Sequence, residues 1–417
     1  IMRVLWFANT PANAIEYFNK ELKGTGGWLK ALDEKLQNHV DLHIAFHNSY
    51  YNYTTFKYKN TTYHPIKIYK NKFHKYWSIF TNEVIDEEFK NEYLKIINEV
   101  QPDIIHIHGT ENPFGCIIDE IDIPVVISIQ GVLTVISHKY CSGIEKKYLS
   151  VSKRKKILFK DNFKKSYLKM KKMADIERKT LVKCKYIFGR TDWDERITKN
   201  LARNSIYFHS DEMLREIFYH NKWEFSQNNF FKIFTTNSNN FYKGFETICE
   251  CLYLLNKLNQ NIIWYVAGIN ENDLIVKVVK KKLGSKYPKD NLVLLGNIDE
   301  NELIDQLLNS NIYVMPSHIE NSPNNLCEAM LLGMPCISTF AGGAGSLITD
   351  KCDGILIQDG DPYAMAGAIL ELYNDKEKAI LLGQNARETA LKRHDKDTVI
   401  NDIIYNYNKI INDSKGE

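Results

Sequence analysis

The chain has 417 residues, 44% of them hydrophobic and 25% charged, with a net charge of +3. That length is more than one hydrophobic core organises and implies two domains, while so small a net charge points to no partner by itself. No run of about 18 apolar residues occurs, which excludes a membrane-spanning helix, and the eight cysteines form no CxxC pair, which fits a reducing cytoplasm and argues against structural zinc.

Strands and helices alternate along the chain. Residues 3–8 read as a strand rather than as a signal peptide. A helix over 28–38 and a strand over 40–46 follow. A helix over 86–100 stops before Pro102, and 104–108 and 125–129 are short apolar strands. A strand over 186–189 leads into a helix over 192–203. Residues 207–229 mix aromatic and polar types without a strand or helix period and read as a passage between domains. The rhythm then restarts, with strands at 231–235, 262–267, 292–295 and 312–316. Helices at 246–258, 274–283 and 300–309 separate them. A helix over 326–332, strands at 336–339 and 354–357 and helices at 362–373 and 376–393 complete the second half. A last amphipathic segment spans 399–411. This β-α-β alternation predicts two doubly wound parallel α/β domains, with ligands in a cleft between them. The domain boundaries expected are 1–206, with a C-terminal helix of about 396–417 packing back on it, a passage over 207–229, and 230–395.

One stretch carries the chemistry. After the strand at 312–316 come Glu320 and Glu328, with seven residues between them. Glu320, on a loop, can accept hydrogen bonds from sugar hydroxyls. Glu328, just inside a helix, can accept from ribose hydroxyls. The backbone N–H groups of Asn324, Asn325 and Leu326 point out of the helix N-terminus, where a diphosphate is favoured. Pro323 suits the start of that helix and Gly333 its end. The pair also has a plain structural reading, with Glu328 complementing the helix dipole and Glu320 a solvated carboxylate.

The order of elements decides between these readings. With Gly24-Thr25-Gly26-Gly27-Trp28, Pro102-Asp103-Ile104-Ile105-His106-Ile107-His108-Gly109, Tyr242-Lys243-Gly244-Phe245, Trp264-Tyr265-Val266-Ala267-Gly268, Leu294-Leu295-Gly296-Asn297 and the run 314–343, the chain resembles the family 4 glycosyltransferases. These have the GT-B fold and the E-x7-E motif. The resemblance covers nearly the whole chain and is weakest over 50–77 and 137–179.

The resemblance implies a retaining hexosyltransferase that takes a nucleotide sugar, preferably a uridine diphosphate sugar, as donor substrate and needs no metal or other cofactor. Gly26 and Gly27 would let backbone approach phosphate closely. Lys243 would be a point charge for the leaving diphosphate. Glu320 and Lys243 are then the catalytic candidates. Gly26, Gly27, Gln130, Lys243, Asn324, Asn325, Leu326 and Glu328 are the donor-binding ones, and His108 is a contact for acceptor or sugar. Two departures stand out. Asn237-Ser238 carries no charge where relatives have an arginine. Gln130-Gly131 stands where many have a histidine, so Gln130 can position but cannot carry a proton near neutral pH.

No covalent nucleophile stands out, and front-face attack is the path expected. Three Asp-x-Asp runs, at 192–194, 359–361 and 395–397, read as helix starts and polar connections rather than metal sites.

From Lys139 to Lys172 there are 13 basic residues and two acidic ones, interleaved with apolar side chains, as in a helix lying on anionic lipid. Residues 50–77 interleave aromatics with lysines. A saccharide or lipid-linked saccharide acceptor at the inner face of the cytoplasmic membrane accounts for both, in bacterial surface polysaccharide or glycolipid assembly. A solvated helix in a lysine-rich chain is the bland alternative. Nucleic acid is not expected as a partner. Two rival readings are a catalytically silent GT-B module that binds a partner transferase or glycan, and a sugar-nucleotide epimerase.

Overall fold

A computed structural model describes residues 1–18, 27–48, 54–67, 89–149, 159–225, 229–258 and 260–416. The chain divides into two compact units. One comprises residues 1–137, 164–213 and 394–417, and the other residues 138–163 and 214–393.

The first unit is built on eight strands: β1 (Arg3–Ala8), β2 (Asp41–Asn48), β3 (Phe56–Tyr58), β4 (Thr61–Lys67), β5 (Ile104–His108), β6 (Val125–Ser128), β7 (Tyr186–Gly189) and β8 (Ile206–His209). Their order is β3-β4-β2-β1-β5-β6-β7-β8. All neighbours are parallel except the β3–β4 hairpin at the edge. The chain winds outward from β1 and then returns to its other side with β5, so β1 and β5 border the switch point, where doubly wound sheets bind ligands. The alternation along β1 feeds two cores. Val4, Trp6 and Ala8 pack on one face with Val399, Ile403 and Tyr407 of the helix Lys396–Lys415. Leu5 and Phe7 pack on the other with Tyr93 and Ile97 of the helix Lys90–Val100. That helix closes on Gln101 in the left-handed region, φ 50°, directly before Pro102.

The second unit has six parallel strands: β9 (Phe231–Thr236), β10 (Ile262–Ala267), β11 (Leu292–Gly296), β12 (Ile312–Met315), β13 (Cys336–Thr339) and β14 (Ile355–Ile357). Their order is β11-β10-β9-β12-β13-β14. The switch point here lies between β9 and β12. Ile233, Trp264 and Val314 face one core and Phe234, Tyr313 and Met315 the other. Burying each such side chain contributes about 1.5–3 kcal/mol.

Several elements depart from the sequence expectation. Residues 138–163 belong with the second unit, not with the first half. Tyr140 and Ile144 are buried, and Ile144 joins the core around Phe241 and Phe245. Strands β3 and β4, inside the aromatic-lysine stretch 50–77, were not expected; residues 50–53 and 68–77 of that stretch lie outside the described residues. The passage 207–229 holds the end of β8 and a short helix, Glu216–His220. The three Asp-x-Asp runs are all helix starts. Thr191 and Asp194 form a capping box, and Asp361 and Asp395 accept from first-turn amides as N-caps. Among the described residues no helix is long and apolar enough to cross a membrane.

Candidate active site

In the second unit the chain leaves β9 and makes a short turn, Phe241–Lys243, closed by Gly244 at φ 72°. A Cβ at Gly244 would lie 2.0 Å from the Pro316 carbonyl oxygen, so only glycine brings this turn against the end of β12. The approach sets Lys243 against the loop that follows β12. Its ammonium donates to Glu320 Oε1 at 2.5 Å, and Ser317 Oγ donates to the same oxygen at 2.8 Å. The Glu320 carbonyl accepts from the Gly343 amide at 2.9 Å. Gly342, at φ 58°, makes room for that contact, because a Cβ there would fall 1.9 Å from the same carbonyl. Burial alone would lower the Lys243 pKa. The adjacent Glu320 carboxylate and the Tyr242 hydroxyl outweigh it, and the pKa is raised.

Glu320 leads into the helix Asn324–Leu332, with Pro323 at its N-cap and Gly333, φ 86°, at its C-cap. Glu328 is buried on this helix. Both its oxygens are held by Arg215, from Nε to Oε1 and from Nη2 to Oε2, each at 2.7 Å. Arg215 also reaches Glu300 at 3.2 Å and lies over the Phe218 ring. Burial pushes the Glu328 carboxyl above its ordinary range against the pull of Arg215. Arg215 is raised despite burial, chiefly by Glu328 and then by Glu300.

The structure brings Lys243 and Glu320 together and gives other assigned groups partners within the chain. Glu328, assigned to the ribose, is gripped by a guanidinium from the segment read as a passage. Of the three amides assigned to an anion, that of Leu326 donates to the Pro323 carbonyl at 3.0 Å. The Asn325 side chain turns to the end of β9, donating to the Thr236 carbonyl at 3.2 Å. The amides of Asn324 and Asn325 remain the open donors of the first turn among the described residues. Asn237, where relatives carry an arginine, donates instead to the Lys243 carbonyl at 3.1 Å.

In the first unit a cavity of about 370 Å³ opens at the β1–β5 switch point, lined by Asn9, Thr10, Trp28, His108, Glu111 and Gln130 among others. Gly27 opens the helix Gly27–Leu36, which carries Trp28. Gly26 lies outside the described residues. His108 is buried edge-on to Trp6, 4.5 Å between ring centroids, with His106 at 3.8 Å. Among the described residues neither of its ring nitrogens has a hydrogen-bond partner. Burial, then His106 and Arg190, hold its pKa well below the ordinary value, so the ring is neutral at pH 7. Gln130 accepts from Arg190 at 2.8 Å, and Arg190 is paired with buried Glu212 at 2.9 Å. Glu111 accepts from Asn9 at 2.6 Å, and burial raises its pKa. A neutral imidazole, an amide and a carboxyl beside an indole form a lining suited to hydroxyl-bearing ligands.

Sequence reasoning missed Arg215, Arg190 and Glu111. Arg215 stands one residue before a short helix in a stretch without clear periodicity. Arg190 directly follows β7 and Glu111 lies three residues beyond β5, positions that signal the ligand end of a sheet.

Residues 219–389 match the family described as glycosyl transferases group 1. The chain is 28% identical over 127 residues to the capsular polysaccharide biosynthesis glycosyltransferase CapM of Staphylococcus aureus, covering 30% of this chain and 33% of that protein. It spans less than two thirds of the length of the curated relatives it matches. Among solved structures, sucrose-phosphate synthase from Thermosynechococcus elongatus superposes with a TM-score of 0.73 at 13% identity, over 98% of this chain and 99% of that one. Anabaena HepE in complex with UDP and glucose does so at 0.63 and 13%, over 97% and 99%. With two doubly wound parallel units the chain has the GT-B fold, and most of its second unit matches the glycosyl transferases group 1 family.

Proposed function

We propose that the chain is a retaining, metal-independent hexosyltransferase. It moves a sugar from a nucleoside diphosphate donor, preferably a uridine diphosphate sugar, to a hydroxyl of a glycan or lipid-linked saccharide. The observation that carries the reading is the Lys243–Glu320 pair at the β9–β12 switch point, with Glu328 eight residues on. In this scheme the acceptor oxygen bonds to the anomeric carbon on the face from which the diphosphate departs. The bond from that carbon to the phosphate oxygen breaks, and the acceptor proton passes to the departing phosphate oxygen. Lys243 and the amides of Asn324 and Asn325 meet the charge that develops there, as donors already oriented in the folded chain. Glu320 holds the sugar hydroxyls, and Glu328, fixed by Arg215, accepts from the ribose.

The uridine preference draws on HepE, solved with UDP and glucose, and the setting in bacterial surface polysaccharide on CapM's role in capsule synthesis. In the first-unit cavity Gln130 is assigned to the donor and His108 to acceptor or sugar. Residues Lys139 to Lys172 are assigned to an anionic membrane surface at the cytoplasmic face; residues 150–158 of this run lie outside the described ones. Ligand-detected NMR with a panel of UDP- and GDP-sugars, repeated on Glu328→Ala, tests the donor site. Binding that requires the diphosphate and weakens in the variant supports it. Absence of binding to every nucleotide sugar overturns it in favour of a silent module.

A further inference from the structure

Two residues before Glu320 lies His318, and three residues after Lys243 lies Glu246. Both are buried, with side chains 4% and 2% exposed. His318 Nε2 meets Glu246 Oε1 at 2.5 Å, and its Nδ1 meets Asp359 Oδ2 at 3.3 Å. An imidazole with a carboxylate at each nitrogen is satisfied at both only when both carry protons. The backbone repeats the connection, since the His318 amide donates to the Tyr242 carbonyl at 2.8 Å. The turn bearing Lys243 and the loop bearing Glu320 are therefore joined three times: through Tyr242, through His318–Glu246 and through Lys243–Glu320.

The surroundings are built closely around this pair. Thr247 Oγ1 lies 3.1 Å from Glu246 Oε1. Gly143, in the 138–163 segment, must lack a side chain, because a Cβ would fall 1.9 Å from Glu246 Oε1 and 2.7 Å from His318 Nε2. Lys282 donates to the Gly143 carbonyl at 3.0 Å and pairs with Glu250 at 2.7 Å.

We propose that His318, as an imidazolium bridging Glu246 and Asp359, is a positioning residue for the transfer. It holds the Glu320 loop on the Lys243 turn, and donor affinity falls when the ring loses its proton. This rests on the donor-site reading above. Burial alone would depress the His318 pKa, but Glu246 and then Asp359 raise it. A raised histidine pKa gives a contribution that is full below the ordinary value of about 6.5 and is lost as pH rises through the folded-state value. Charged groups on the neighbouring elements include Lys243, Glu320, Lys282 and Glu250.

The test is calorimetric titration of the whole chain with UDP-glucose and with GDP-mannose from pH 6 to pH 9, on wild type, His318→Gln and Glu246→Gln. Wild-type affinity should fall about tenfold across the range, the worth of one charge-assisted bond. H318Q should bind at the weak, high-pH level throughout. E246Q, which keeps a hydrogen-bond partner for the ring but removes the charge, should shift the midpoint to lower pH. A purely structural histidine would lower the melting temperature and leave the pH profile in place. An H318Q profile that keeps the wild-type step, or an E246Q midpoint that does not move, overturns the inference while leaving the donor site standing. If H318Q does not fold, the E246Q midpoint alone decides. Failure of wild type to bind either sugar nucleotide at any pH overturns the donor-site reading, and this inference with it.

Discussion

Replacing Arg215 by methionine leaves the Glu328 carboxylate buried without its cation. The two guanidinium bonds are both 2.7 Å, and the side chains are 25% and 6% exposed. Breaking a buried pair by removing one partner costs about 3–5 kcal/mol. Arg215 keeps some solvent, so the lower end, about 3 kcal/mol, is the better figure. For a unit of this size that lowers the unfolding midpoint by about 6–12 °C. The loss must depend on pH. Burial already raises the Glu328 pKa, and Arg215 is what opposes it. In the variant the folded-state pKa therefore rises further above the unfolded value of about 4.3. An acid with a raised folded pKa favours folding at low pH and loses that contribution as pH increases through it. Urea unfolding followed by circular dichroism should show a deficit at pH 8 that exceeds the deficit at pH 5 by at least about 1 kcal/mol. The double variant Arg215→Met/Glu328→Met removes the stranded charge and should recover most of the loss. An equal deficit at both pH values, or a double variant no better than the single one, would refute the claim that Glu328 is a buried carboxylate held by Arg215.

Lys243→Ala should lower the turnover number by about 10²–10³, as expected for removing one donor from a developing anion, measured by release of nucleoside diphosphate with a saccharide acceptor. Glu320→Gln should reduce turnover too, and a variant that turns over at the wild-type rate would remove Glu320 from the catalytic candidates. Gly244→Ala should destabilise the fold by more than about 1 kcal/mol, because alanine must adopt φ 72° and its methyl would meet the Pro316 carbonyl; thermal unfolding reads this directly. Lys164→Gln/Lys165→Gln should lower partition onto phosphatidylserine vesicles at least about tenfold, since each lysine near an anionic surface contributes about 1 kcal/mol. Cosedimentation that does not change with the substitutions rules out the membrane contact at the helix Phe159–Leu181, which carries both lysines.

The strands of both sheets that border a switch point were legible because they are short apolar runs followed by glycine, proline or a polar loop. The E-x7-E stretch was legible for a related reason: a strand, a loop and a capped helix each leave a local mark. What escaped was set by contacts distant in sequence. Arg215 and Glu328 are 113 residues apart, and no periodicity in either segment announces their meeting. The allegiance of 138–163 to the second unit rests on Ile144 in a core assembled mostly from residues beyond 230. His318 looked like any loop residue, because its meaning comes from Glu246 and Asp359, brought to it by two other β-α connections. Strands β3 and β4 were hidden by lysines on an edge hairpin, where charge is tolerated.

The two carboxylates of the motif are each paired with a cation of their own unit, which invites the objection that the site is already filled. The donor and acceptor inventory answers it. Among the described residues Lys243 spends one of its three N–H donors on Glu320, which in the proposed scheme leaves two for phosphate oxygens. Each Glu328 oxygen receives one bond from Arg215 and keeps a second lone-pair direction for a ribose hydroxyl. In the proposed scheme the pairs act as orientation rather than occupancy, fixing a lysine and a carboxylate that would otherwise sample many rotamers. On this argument Glu320→Gln and Lys243→Ala are not equivalent lesions. The amide still accepts from Lys243 and keeps its direction, so E320Q should weaken the hold on the sugar while leaving affinity for free UDP near the wild-type value. K243A removes the charge itself and should weaken UDP and the intact donor alike. Calorimetry with UDP alone separates the two roles, and equal losses in both variants would mean that the pair binds the diphosphate as a unit.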